Sequence, residues 1–79
     1  MRNIITVIDR VLRAVPDKDN GGFKFELRSL RSSALYTAPE IMGIAWERFA
    51  RIFNQYIPYP AKEQWMMECI DIFTDKANQ

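Results

Sequence analysis

The chain has no histidine and a single cysteine, Cys69, and these two shortages remove much of the chemistry open to a small protein. Without an imidazole there is no Ser-His or Cys-His nucleophile pair. One thiol excludes an internal disulfide, and one thiol without histidine leaves no zinc ligand set. Glycine is scarce as well, and the Gly21-Gly22 pair lacks both the preceding strand and the following Lys-Ser/Thr that a phosphate loop requires. No apolar run approaches the roughly 18 residues of a membrane span, and the opening Met1 to Asp9 meets charge too early for a secretion signal. These shortages predict a non-enzyme in a reduced, cytoplasmic setting, with no catalytic residue, no metal, no cofactor and no membrane partner.

What is present is apolar and aromatic. Of 79 residues, 48% are hydrophobic and 13% aromatic, a balance that builds a core rather than a disordered chain. The length allows one domain, residues 1–79, that buries about 60–65% of its unfolded surface and is marginal alone.

The strongest periodic signal runs from Thr37 to Ile57. Thr37-Ala38-Pro39-Glu40 reads as a capping box, with Pro39 in the first turn where its missing donor costs little. The apolar residues from Ile41 to Ile57, including Ala45, Trp46, Phe49, Ile52, Phe53 and Tyr56, then cover roughly 200° of a helix, about twice what one neighbour needs. The pattern predicts a long central helix over about 38–57, packed on two or three sides and ended by Pro58 and Pro60.

Three more helices fit around it. Ile4, Ile5, Val7, Ile8, Val11, Leu12 and Val15 recur at helical spacing behind an Asn3 cap and before Pro16. Residues 16–22 are charged and turn-forming, and are expected to be a flexible loop. Phe23, Leu27, Leu30 and Ala34 share one helix face. Phe23, Phe25 and Leu27 would also share a strand face, but a lone strand has no partner here, so helix is preferred and Phe25 falls on its outer side. Tyr36 is placed as a hydrophobic staple against Ile41. The last helix runs from about Ala61 to Phe73, with Trp65, Cys69, Ile72 and Phe73 inward and a frayed tail over 74–79. The fold class is all-α, a compact four-helix domain.

Two surfaces are left over. Phe25, Ile44, Tyr59, Met67 and Ile70 remain once each helix has one inward face, and several large hydrophobes on so small a domain mark an interface. Arg10 and Arg13 on the first helix, with Lys24, Arg28 and Arg31 on the second, form a cationic set rich in the fork-shaped guanidinium that binds phosphate or carboxylate. Residues 1–39 carry seven Lys/Arg against four Asp/Glu, and residues 40–79 four against six. Such an asymmetry orients a molecule on a partner without making the chain a nonspecific polyanion binder. The carboxylates Glu68 and Asp71 are near neighbours on a helix and read as a solvated face.

These features predict an interaction protein, a regulator or inhibitor, that self-associates as a homodimer or higher oligomer or docks on a larger protein through an apolar patch flanked by arginines. Small chains without catalytic equipment, including those carried by bacteriophages, often act this way by analogy. The alternative is a binder of nucleic acid or of a small phosphorylated ligand through the five cationic residues.

Overall fold

The computed structural model describes residues 2–74. Helix α1 spans Ile4–Ala14, and its cap forms as the sequence predicts: the Asn3 side-chain oxygen accepts from the amides of Ile5 at 2.9 Å and Thr6 at 3.4 Å. Such a cap contributes about 1 kcal/mol. Ile4, Val7, Ile8 and Val11 are all buried and form the inward face of α1.

Helix α2 spans Gly21–Ala34, so the strand alternative is gone, and Gly21 and Gly22 belong to the helix rather than to the preceding loop. The Asn20 carbonyl already accepts from Lys24 N at 3.0 Å, which starts the helix one residue before the glycines. The remaining loop is tied internally. Asn20 donates its side-chain amide to the carbonyls of Pro16 and Lys18, and Asp19 takes the left-handed conformation at φ 65° that an aspartate tolerates in a turn.

A 3-10 turn at Pro39–Ile41 leads into α3, Met42–Tyr56, and α4 covers Gln64–Thr74 after a turn whose Tyr59–Pro60 peptide is cis. The element expected as a long central helix is therefore shorter than its periodicity suggests and lies beside α2, while α1 and α2 are the helices with two close neighbours; the capping box does not form. Thr37 Oγ1 instead donates to the Ser33 carbonyl at 2.9 Å, closing the end of α2 rather than opening α3. The staple is absent too: Tyr36 is 89% exposed and Ile41 half exposed. The frayed tail expected over 74–79 lies, apart from Thr74, outside the described residues.

Helices α1 and α2 run antiparallel, and so do α2 and α3. Lys24 at the start of α2 reaches the Val15 carbonyl at the end of α1, and Arg31 late in α2 pairs with Asp9. Tyr56 at the end of α3 donates to Glu26 early in α2. Arg2, ahead of α1, donates to the Ile72 carbonyl near the end of α4. The fourth side is closed by aromatic rings, with Phe73 of α4 stacked on Phe53 at 4.5 Å and edge-on to Phe49 at 4.9 Å. Trp46 and Trp65 are half-buried against this core rather than within it.

The body measures 35 × 29 × 18 Å. Every helix keeps an exposed outer face, and the described members of the core include no charged or polar side chain. Among the described residues, no helix is long and apolar enough to cross a membrane.

Candidate interaction surface

Four of the five apolar candidates are on the outside. Tyr59 is 90% exposed, Phe25 67%, Ile44 58% and Met67 52%, whereas Ile70 is half-buried and packs partly on the core. They do not form one patch. Tyr59, Met67 and Ile70 line a single groove with Pro60, Ala61 and Asp71, between the proline turn and the outer side of α4. Tyr59 and Ile70 also line its continuation, together with Phe53 of α3, Ile57 just beyond that helix and Phe73 of α4. Ile44 lies roughly 18 Å from Tyr56 along α3, given a rise of 1.5 Å per residue, and Phe25 stands on the outer ridge of α2.

The groove follows from the local sequence. Pro58 and Pro60 stop α3 and prevent a continuous helix, so the chain turns with Tyr59 outward. Helix α4 spends its inward positions on Cys69 and Ile72, and successive residues near 100° apart then place Met67 and Ile70 on the flank nearest the turn. At ≈ 230 Å³ its outer part is smaller than the roughly 300–1,000 Å³ of a small-molecule pocket, and it suits inserted side chains better than a cofactor.

The cationic set is divided. Lys24 Nζ sits 2.6 Å from Asp17 and donates to the Val15 carbonyl at 3.0 Å. This contact holds the Asp17 carboxyl below the usual carboxylate range, through the hydrogen bond first and the ammonium charge second. Arg31 donates to both Asp9 oxygens, at 2.7 and 3.2 Å, and that hydrogen bond raises its already high pKa. Arg10 and Arg13 instead line a groove of ≈ 460 Å³ on the other side of α4, facing Glu68 and Asp71. Arg28 is exposed on α2. The five residues therefore fall in four places, and two of them, Lys24 and Arg31, already hold carboxylates.

Comparison with protein-family models, with curated proteins and with solved structures finds no match to this chain.

Other chemistry is thin. Burial pushes the Cys69 thiol up to about 12, with the neighbouring Glu68 charge adding to the effect, so the thiolate nucleophile does not form near neutrality. The described residues contain no group of three or more His, Cys, Asp or Glu placed to hold a metal ion. Leu35, Tyr36 and Ile41 are also exposed at the α2–α3 connection, which periodicity does not foresee. The signal in the sequence was the break itself: a helix ending at Ala34 with its apolar residues continuing for two more positions.

Proposed function

We propose that this protein is a non-enzymatic interaction protein that docks on another protein through the groove lined by Tyr59, Met67 and Ile70, and acts by covering part of that partner's surface. One observation carries the reading: a tyrosine with nine-tenths of its surface in solvent stands beside a half-exposed methionine over an apolar floor. An aromatic at the lip of a shallow apolar groove is the arrangement of an interface anchor, and methionine beside it repacks to fit what arrives.

The magnitudes set the kind of binding. Covering an apolar side chain of this size yields about 1.5–3 kcal/mol, and three of them give roughly 5–9 kcal/mol before the cost of association. Since that cost is about 4 kcal/mol or more, the groove alone supports weak binding, and a tight complex needs polar contacts at its edge. The division of the cationic set argues against phosphate capture as the main role, because Lys24 and Arg31 are neutralised by Asp17 and Asp9 and because carboxylates face Arg10 and Arg13.

Affinity capture tests this, using the immobilised wild-type chain beside a Tyr59→Ala/Met67→Ser variant. A protein retained by the wild type and lost with the variant supports the reading. Equal retention by both, or none by either, refutes it.

A further inference from the structure

We infer that the occupant of the groove is an amphipathic segment whose apolar side chains are bordered by lysine or arginine; this rests on the docking reading above and adds the chemistry of the partner. Among the described residues, the one charged residue lining the whole groove is a carboxylate, Asp71. The groove also receives the C-terminal end of α3, where backbone carbonyls concentrate negative potential. Helices α1 and α2 each place an arginine in their last turn, Arg13 and Arg31, which offsets that potential, but α3 has no basic residue in its last turn. Helix α4 is different again, because its Ile72 carbonyl is already taken by Arg2 from the side of Trp46.

Among the described residues, no cation lines the groove. Lys62 is outside the lining and is followed at once by Glu63, while Arg10 and Arg13 lie beyond Asp71 in the groove on the far side of α4. An apolar surface with a negative rim disfavours nucleic acid and anionic lipid and favours a cationic edge. The reach fits as well. From Met67 to Thr74 the α4 wall runs about 10 Å, two turns of a docked helix, which offers its anchors at three-four spacing.

The test is a titration of the isotope-labelled full chain, near physiological salt, with two synthetic helical peptides. They share one leucine stripe and differ only in carrying lysine or glutamate on its borders. The lysine peptide is expected to shift the resonances of Tyr59, Met67 and Ile70 and to bind about tenfold or more tightly than the glutamate peptide, with Asp71→Lys reversing the order. Equal binding of the two peptides overturns the inference, as does a preference for glutamate or a lysine-peptide footprint confined to Glu40 and Glu47. So does a wild-type chain that pairs with itself through Tyr59 and admits neither peptide. A partner captured through Tyr59 that prefers the glutamate peptide's chemistry would remove this inference and leave the docking reading intact.

Discussion

Arg2 donates from Nη2 to the carbonyl of Ile72, at 2.8 Å across 70 positions of sequence. The same guanidinium lies over the Trp46 ring at 5.1 Å, so one side chain joins the start of α1, the side of α3 and the end of α4. It answers an unpaired carbonyl of the last turn of α4 and carries the positive charge that a helix C-terminus favours.

Replacing Arg2 with alanine should therefore cost about 1–3 kcal/mol, through the lost hydrogen bond and the lost contact with Trp46. Arg2→Lys should recover only part of this, since an ammonium reaches the carbonyl without stacking as a plane. Denaturant unfolding measures both. A cost for Arg2→Ala indistinguishable from zero would show that the contact does not hold α4.

Phe49 is fully buried and meets three other rings, Trp46, Phe53 and Phe73. Phe49→Ala should cost about 3–5 kcal/mol, through lost transfer energy and an unfilled cavity. A domain of this length has roughly 4–12 kcal/mol in all, so the variant should lose a large share of its stability and melt well below the wild type. A cooperative thermal transition near that of the wild type would contradict this packing.

Cys69 is fully buried and its thiol is held up to about 12. Native protein should react slowly with a maleimide or disulfide reagent near neutral pH, at a rate set by opening of the fold, and quickly in denaturant. Prompt stoichiometric labelling of the native chain would place the thiol elsewhere.

Tyr56 donates to Glu26, stacks on Phe23 at 5.0 Å and passes close to Gly22, where an added Cβ would stand 3.4 Å from its oxygen. The hydrogen bond to the carboxylate raises the tyrosine pKa, with burial and the Glu26 charge acting in the same direction. A raised folded pKa means that the folded state holds this proton more tightly than the unfolded one. The resulting stability is complete below the ordinary tyrosine value near 10 and is lost as pH rises through the folded value. Spectroscopic titration should show one delayed tyrosine ionisation, which Tyr56→Phe deletes, and alkaline unfolding of that variant should lose the matching pH dependence.

Much of the fold was legible in the sequence because the cues were local. Asn3 caps α1 through its own side chain, and the three-four spacing of Val7, Ile8 and Val11 marks the face that is buried. The errors came where one local signal had two uses. Thr37 reads as the start of a helix, but its hydroxyl reaches back to Ser33 and ends one. Tyr36 and Ile41 have staple spacing, but the intervening 3-10 turn leaves both in solvent.

The surface was legible residue by residue and not as a site. Of the five leftover hydrophobes, Phe25, Ile44, Tyr59 and Met67 are outside and Ile70 is half-buried, but only the tertiary arrangement shows that Tyr59, Met67 and Ile70 share a groove from which Phe25 and Ile44 are absent. The charge pattern had the same limit. Arg31 belongs to Asp9, 22 positions earlier, and nothing in the spacing of the arginines themselves announces that partner.

The most direct test of the docking reading is amide hydrogen exchange of the full chain, free and with a protein captured through it. The predicted result is added protection across residues 57–61 and 64–71, with the outer face of α2 around Phe25 unchanged. Protection confined to residues 35–44, or spread evenly over all four helices, would contradict it.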